Sequence, residues 1–331
     1  MMVGASLHLG LNVISLGLAA SFFWGASDFL GGLATRRAHV VGVVAVAHSL
    51  SLALLLLIAL GTHSPLPPER FAVLGLCAGG FGGIALILYY QALSMGEMGL
   101  TTALTGLLTA MVPVVFSLFT EGSPRTSQMA GFVLAAGAIA LIAYAPAKDV
   151  DVASAIPLKP TTGMNGPPNP GGWLRFSSSR VSGQRPVALG LATLSGLGFG
   201  VFLVVLKVGS AHGMLWQLIF SRMASVTLTV VILIWAKVRV SRSKGAKMLD
   251  KRSSPYLFLW MAGGAGVLEG TGSLLYMGAA REGRLDVAAV LASLYPVVTI
   301  VLAAWFLKER TTPSQALGMA LALGAVVLVS L

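Results

Sequence analysis

The chain has 331 residues, of which 56% are hydrophobic and 10% are charged, and its mean hydropathy is +0.86. Soluble proteins carry roughly 25% charged residues, so this composition excludes a pair of ordinary soluble domains and indicates a membrane protein. In a membrane protein, the net charge of +11 reflects how basic residues are distributed between the two sides of the membrane. We therefore do not predict nucleic acid as a partner. The single cysteine, Cys77, excludes an intrachain disulfide and a cysteine zinc site; we predict no metal and no cofactor.

Apolar stretches of about 20 residues, the length needed to cross a bilayer, recur along the whole chain. Seven contain no Asp, Glu, Lys or Arg, and three contain a single charge each: Asp28, Arg222 or Glu269. We predict an all-α integral membrane protein with ten transmembrane helices. Their approximate ranges are 13–34, 40–60, 71–92, 99–120, 127–145, 187–206, 213–236, 256–280, 287–307 and 311–331.

Two polar segments interrupt this pattern. Residues 146–186 are rich in proline, glycine and serine and are predicted to form a mostly disordered linker between two sets of five helices. The segment Lys237–Arg252 holds seven basic residues and one acidic residue. It is interpreted either as a solvated loop that sets the topology or as a patch for anionic lipid headgroups.

The two halves repeat each other when the sequence is shifted along itself. One shift superimposes Leu-Gly-Leu-Ala at 16–19 on the same four residues at 189–192. A shift longer by one position places His48 on Arg222, and a somewhat longer shift places Gly79 on Gly266 and Gly83 on Gly270. Because the matches keep their order at nearly constant shifts, we predict a first repeat at 1–145 and a second repeat at 187–331.

An odd number of helices in each half means that the second half enters the membrane from the opposite side. Such inverted repeats are typical of secondary transporters, in which the halves enclose a site near the bilayer midplane. The alternative is a duplication that only built a larger scaffold.

The end of each half resembles a known family. The segment SLYPVVTIVLAAWFLKERTTPSQALGMALALGAVVLVSL at 293–331 is similar to the closing unit of EamA-type transporters of the drug/metabolite transporter superfamily. Shared features are a proline in the ninth helix, an apolar run into Lys308, Glu309 and Arg310, and then Gln315, Gly318 and Gly324. A looser copy at 113–146 has Glu121 near the position of Glu309, and the Trp24-Gly25 pair resembles the first helix of the family.

This resemblance implies ten helices in two five-helix repeats and transport of small metabolites without an ATP-binding domain. It does not define the substrate, because members carry amino acids, sugars, nucleotide-linked compounds and drugs. The chain also lacks a GxxxxGK[ST] phosphate-binding motif.

The three charges inside predicted helices are candidate substrate-binding or coupling residues, because a charge at this depth costs at least about 2.5–3.5 kcal/mol. Asp28 is interpreted as a protonatable carboxylate or as a structural anion paired with Arg36 or Arg37. Arg222 either binds a substrate carboxylate or phosphate, or forms a salt bridge with Asp28 or Glu269. Glu269 serves either proton coupling or ion pairing with Arg222.

Other polar and aromatic residues complete the candidate site. His48 occupies the position equivalent to Arg222 and is either a proton relay or a hydrogen-bonded packing residue. Aromatic surfaces and polar groups suited to a substrate cavity are predicted at Trp24, Tyr89, Tyr90, Gln91 and Tyr276. The GxxxG pairs Gly79/Gly83 and Gly266/Gly270 are interpreted mainly as helix-packing positions, with a mobile backbone along the substrate path as the alternative.

Loop charges give an expectation for orientation. The loops after helices 1, 5, 7 and 9 hold 16 Lys and Arg, against five in the opposite loops. The positive-inside rule therefore places the linker in the cytoplasm and both termini outside, whereas the family resemblance implies cytoplasmic termini.

The most favoured function is a transporter of small molecules in the plasma (inner) membrane, with export and proton coupling as further expectations. A lipid carrier or flippase of the same fold is the alternative, and an intramembrane enzyme is a third hypothesis. Such an enzyme would need a catalytic group such as paired aspartates or HExxH, and the sequence contains neither pattern within its spans.

Overall fold

The computed structural model describes residues 2–35, 38–95, 98–143, 178–210, 213–242, 255–306 and 313–330. Every regular element in these ranges is a helix. The helices are α1 (Met2–Thr35), α2 (Val40–Gly61), α3 (Glu69–Ser94), α4 (Met98–Thr120), α5 (Thr126–Ala143), α6 (Ser178–Gly209), α7 (Met214–Arg242), α8 (Pro255–Glu282), α9 (Leu285–Ala292), α10 (Tyr295–Phe306) and α11 (Pro313–Ser330).

Seven segments among the described residues are long and apolar enough to cross a membrane. They are Asn12–Thr35, Val40–Gly61, Glu69–Ser94, Thr101–Thr120, Pro186–Gly209, Met214–Val238 and Leu285–Phe306, and α5 contributes a shorter apolar helix at Thr126–Leu141. These segments make the chain a multi-pass membrane protein. The number of crossings, ten, stays a prediction.

The span predicted as one helix at 287–307 consists of two helices, and the prediction of a continuous helix is wrong. A turn at Ser293 and Leu294 separates α9 from α10. Pro296 has no backbone N–H and disfavours a helical conformation in the residue before it, so the regular hydrogen-bond pattern is interrupted at this point. The N–H groups of Leu294 and Val297 instead bond to carbonyls three residues earlier, Leu291 at 3.3 Å and Leu294 at 3.0 Å.

The two polar segments lie largely outside the described residues. Within the predicted linker at 146–186, the structure describes residues from 178 onward. These residues form the beginning of α6, so this helix starts at Ser178 and not at the predicted residue 187. For the basic segment, α7 continues to Arg242, and residues 243–254 lie outside the described part. The arginines 36 and 37 and the motif at 308–310 also lie outside it.

The halves do not form separate bundles. The most extensive contacts between the halves join α1 to α8, α3 to α6 and α5 to α11, followed by α3 with α7, α4 with α6, and α2 with α8 and α7. Each helix of the first half thus packs mainly on helices of the second half. The interior between the halves is where a cavity can form.

Glycines bring two of these helix pairs into close contact. A Cβ atom on Gly79 of α3 would overlap the backbone carbonyl of Ser221 on α7, and one on Gly266 of α8 would overlap that of Ala47 on α2. One turn further along, a Cβ on Gly83 would lie 2.5 Å from the Ser225 hydroxyl, and one on Gly270 would lie 2.5 Å from the Ser51 hydroxyl. The two contacts are equivalent under the same shifts that relate the halves in the sequence.

Candidate functional site

A cavity of about 60 Å3 lies between the two halves in the interior of the helix bundle. Six of the nine predicted binding or coupling residues line it: Trp24, Asp28, His48, Tyr89, Arg222 and Glu269. The rest of the lining is Gly82, Leu86, Thr109, Phe199, Phe202, Leu203 and Tyr295. Because one water molecule needs roughly 10–15 Å3, the cavity admits a few water-sized groups and a drug-sized molecule requires it to widen.

The strongest electrostatic contact in the cavity joins Arg222 to Glu269. Nη2 of Arg222 donates to Oε1 of Glu269 at 2.5 Å and to the hydroxyl of Ser273 at 3.0 Å. On the acidic side, Glu269 also accepts hydrogen bonds from Ser273 at 2.9 Å and from Ser51 at 3.4 Å. Of the two partners that the sequence allowed for Arg222, the structure pairs it with Glu269.

The guanidinium of Arg222 keeps binding capacity after this pairing. Its Nε is buried and has no hydrogen-bond partner. The planar group lies over the ring of Phe202, 5.7 Å from the ring centroid, in a cation–π arrangement. Arg222 therefore keeps one buried donor without a partner beside the cavity.

Asp28 makes a different kind of contact. The Tyr89 hydroxyl donates to Oδ2 of Asp28 at 3.0 Å and also lies 3.2 Å from the hydroxyl of Thr102. Asp28 is nine-tenths buried, and within the described part of the chain no lysine or arginine forms a salt bridge with it. Its predicted alternative partners, Arg36 and Arg37, lie outside the described residues.

His48 contacts the opposite half through a hydroxyl. Its Nδ1 lies 2.5 Å from the Ser225 hydroxyl, and the side chain is almost completely buried. The shift that places His48 on Arg222 also places Ser51 on Ser225. Each helix of the α2 and α7 pair therefore presents a basic residue and a serine at matching positions.

Three predicted residues do not line the cavity: Tyr90, Gln91 and Tyr276. Tyr90 is buried, with its hydroxyl close to Gly31. The ring of Tyr276 packs on Trp24 with centroids 5.5 Å apart, and its buried hydroxyl has no partner. Tyr276 therefore supports a wall of the cavity from behind.

Sequence reasoning missed several lining residues. Tyr295 and Thr109 line the cavity from α10 and α4, and Thr299 on α10 donates to the carbonyl of Gly25 at 3.1 Å. The position of Tyr295 directly before Pro296 is a sequence signal that could have identified it as a site residue. Phe202 also lines the cavity, and it was not recognised as a site residue.

A second polar cluster joins the halves at the start of α9. Arg284 donates to the Asp286 carboxylate at 3.1 and 2.7 Å and to the carbonyls of Glu121 and Gly122 at 3.1 and 2.9 Å. In return, Glu121 accepts a hydrogen bond from the N–H of Leu285 at 3.0 Å. The bonded Asp286 carboxylate raises the pKa of Arg284 above its usual range, so this arginine stays charged.

Three charged residues were expected inside the helix bundle, and Asp286 is a further one. It is completely buried and lies at the second residue of α9. The predicted span began at 287, so Asp286 was assigned to a loop. The buried acid is instead neutralised by an arginine two residues earlier and accepts a hydrogen bond from the N–H of Val287 at 2.8 Å.

Comparison with known proteins identifies the family to which the chain is similar. The model of the EamA-like transporter family matches residues 11–144 and 187–331. An uncharacterized protein of Methanocaldococcus jannaschii is 27% identical over 145 residues, which cover 44% of this chain and 96% of that protein. That relative is therefore about the size of one of the two matched stretches.

A solved crystal structure is similar in fold. It superimposes with a TM-score of 0.63 over 96% of this chain and 95% of that chain, at 17% identity. At this identity the similarity supports the fold alone. The two family matches span most of the sequence and confirm the resemblance noted at the ends of the halves, and the chain belongs to the EamA-like transporter family.

Proposed function

We propose that the chain is a secondary active transporter that exports small metabolites or drugs across the plasma membrane by alternating access. One observation carries the proposal: a cavity between the two halves is lined by the three charged residues Asp28, Arg222 and Glu269. Charges inside a bundle of apolar helices are costly, and they typically mark the path of a substrate or ion. Membership of a transporter family supports the same function.

The proposed architecture is ten crossings arranged as two inverted five-helix repeats, 1–145 and 187–331, joined by the linker 146–186. The helix packing supports this arrangement, because equivalent helices of the two halves make equivalent contacts. α1 packs on α8, and its equivalent α6 packs on α3. Likewise α2 packs on α8, and its equivalent α7 packs on α3. In such an arrangement, rocking of one half against the other exposes the central cavity to each side in turn.

Proton coupling is proposed at Asp28 and Glu269. Both carboxylates face one cavity of about 60 Å3 inside the helix bundle, so loss or gain of a proton changes the local charge substantially. Arg222 is proposed to bind an anionic group of the substrate through its free Nε, exchanging its contact with Glu269 during the cycle.

The main test is metabolite profiling of cells that overexpress the chain, comparing medium with cytosol. A matched strain should express the Arg222→Leu variant at the same level in the membrane. Export predicts compounds that accumulate in the medium of the first strain alone. Identical profiles of both strains would argue against transport through this cavity.

Reconstitution in proteoliposomes then separates coupling from binding. Asp28→Asn and Glu269→Gln are expected to insert in the membrane, the latter with reduced stability, but to lose transport driven by a pH gradient. Unchanged gradient-driven transport by both variants would exclude proton coupling at these residues. Arg222→Leu with full substrate affinity would remove the proposed anion contact.

A lipid carrier of the same fold is separated by a second assay on the same vesicles. Fluorescent lipids in the outer leaflet are bleached chemically, and transfer of lipids between leaflets appears as increased bleaching. Transfer that depends on Arg222, without any metabolite transport, would favour the lipid carrier.

Orientation is proposed with the linker in the cytoplasm, which also places the basic segment Lys237–Arg252 near anionic headgroups of the inner leaflet. A reporter fused after Leu331 tests it. Reporter activity on the outside is expected, and a cytoplasmic reporter would favour the opposite orientation.

A further inference from the structure

The charged side chains that line the cavity among the described residues do not cancel. Arg222 and Glu269 form an ion pair at 2.5 Å, so their charges offset each other. Asp28 faces the same cavity with one neutral hydrogen-bond donor, the Tyr89 hydroxyl, and without a cationic partner among the described residues. Among the described lining residues, an ionised Asp28 therefore contributes one negative charge that the ion pair does not offset.

A buried carboxylate that lacks a cation is unfavourable, and it is stabilised by any positive group that reaches it. The surroundings decide which kind of cation fits. An inorganic cation such as sodium needs several oxygen ligands around it. The cavity that Asp28 faces is lined by five Trp, Tyr and Phe side chains: Trp24, Tyr89, Phe199, Phe202 and Tyr295. Aromatic faces instead attract organic ammonium groups through cation–π interactions.

The rings lie where such a group would need them. Trp24 lies one helical turn before Asp28 on α1, so both side chains share one face of the helix. The Tyr89 ring, whose hydroxyl bonds to Asp28, packs edge-on against Phe199 with centroids 6.1 Å apart. Tyr295 completes the lining from α10.

We infer that the cavity binds an organic monoamine cation, with its ammonium group on Asp28 and its apolar body against Trp24, Tyr89 and Phe199. The inference rests on the proposed function, because it names the class of substrate that the transporter carries. The cavity of about 60 Å3 accommodates the ammonium group, and helices must separate to admit a larger body.

The free Nε of Arg222 does not reverse this charge preference. The positive charge of Arg222 is already offset by Glu269, so an anion bound there would add a second negative charge that the ion pair does not offset. A neutral acceptor on the amine, such as a hydroxyl or carbonyl oxygen, therefore takes the place of the anionic group proposed above as the ligand of Arg222.

Three probes of nearly equal shape test the charge preference: benzylamine, benzyl alcohol and benzoate. Binding to the full-length chain in nanodiscs is measured by isothermal titration calorimetry near neutral pH. Benzylamine is expected to bind at least about tenfold more tightly than benzoate, with benzyl alcohol in between. Benzoate binding as tightly as benzylamine, or no benzylamine binding to the folded chain, would overturn the inference.

Two variants assign the binding to Asp28. Asp28→Asn is expected to weaken benzylamine binding about tenfold or more while leaving benzyl alcohol binding within about twofold. Glu282→Gln removes the same charge at an exposed position at the end of α8, and it is expected to leave all three affinities unchanged. Equal benzylamine affinity in Asp28→Asn and the parent chain would contradict the assignment.

A measurement on the unchanged chain covers the case in which Asp28→Asn does not fold. A hydrophobic carbodiimide modifies buried carboxyl groups, and mass spectrometry of peptides reports the modification at Asp28. N,N-dimethylbenzylamine, a cationic amine that cannot form a stable amide with an activated carboxyl group, should protect Asp28 severalfold, whereas benzyl alcohol should not. No protection by this amine counts against the inference, while transport of a neutral or anionic metabolite in proteoliposomes would leave the proposed transporter function standing.

Discussion

Arg222 on α7 contacts Glu269 on α8 through a 2.5 Å hydrogen bond between Nη2 and Oε1, in the interior of a membrane-spanning bundle. The arginine is almost completely buried and the glutamate side chain is 15% exposed. A charge left without its partner in such a place is strongly unfavourable, whereas removal of both charges costs far less.

The ion pair gives the first prediction. Arg222→Gln or Glu269→Gln alone should each lower the free energy of unfolding by about 3 kcal/mol, and the double variant should lose less than the sum of the two. Thermal unfolding in detergent, followed by size-exclusion chromatography, measures the three variants against the parent chain. Additive losses would mean that the two side chains do not stabilise each other.

Close helix contact at Gly79 gives the second prediction. Gly79→Ala should separate α3 from α7 and lower the free energy of unfolding by about 1–3 kcal/mol, because the added methyl group meets the backbone of Ser221. Gly80→Ala is the matched control, since a Cβ at the next position meets no atom within 4 Å. Equal thermal stability of the two variants would show that this contact is loose.

The same reasoning applies to the second contact of this kind. Gly266→Ala should destabilise the chain by a similar amount, because its new methyl group meets the backbone of Ala47 on α2. If the two contacts act as a pair, each single variant should also slow cargo exchange in vesicles. An effect at Gly79 without one at Gly266 would argue that only one of these helix pairs moves.

Arg284 gives the fourth prediction. Arg284→Gln should lower the free energy of unfolding by about 2 kcal/mol, because the completely buried Asp286 loses its cation and two carbonyls after α4 lose a donor. Arg281→Gln, an exposed arginine on the same side of the bundle, is the control and should change stability by less than about 0.5 kcal/mol. Comparable losses at both positions would indicate a general charge effect.

The break between α9 and α10 gives the fifth prediction. Pro296→Ala restores a backbone N–H and favours a continuous helix, which would shift Tyr295 relative to the cavity. Transport is expected to fall roughly tenfold with normal insertion in the membrane. Pro113→Ala in the unbroken helix α4 is the control, and an equal fall there would refute a special role of the break.

Most helix bounds could be predicted from the sequence, because long apolar runs and polar loops leave few alternatives in a bilayer. The predicted span 40–60 and helix α2 at Val40–Gly61 differ by one residue. The break at Ser293 was not predicted, because proline is common in membrane helices and Pro113 leaves α4 continuous.

The candidate site was predictable where a residue violates the apolar pattern. Asp28, Arg222 and Glu269 stand out for this reason, and all three line the cavity. Aromatic residues do not violate the pattern, so the sequence could not separate Tyr89, which lines the cavity, from Tyr90, which follows it on the helix and faces α1. Ser51 and Ser225 carry no charge, and only the shift that they share with His48 and Arg222 could have revealed them.

The ion pair also breaks the symmetry of the repeat. Under the shifts that relate the halves, the positions of Arg222 and Glu269 correspond to His48 and Gly82, so the first half has no equivalent pair. Two identical halves in an inverted arrangement would give outward-facing and inward-facing states of equal free energy. Under the proposed alternating-access cycle, this asymmetry gives the two states unequal free energies, so one of them predominates in the absence of cargo.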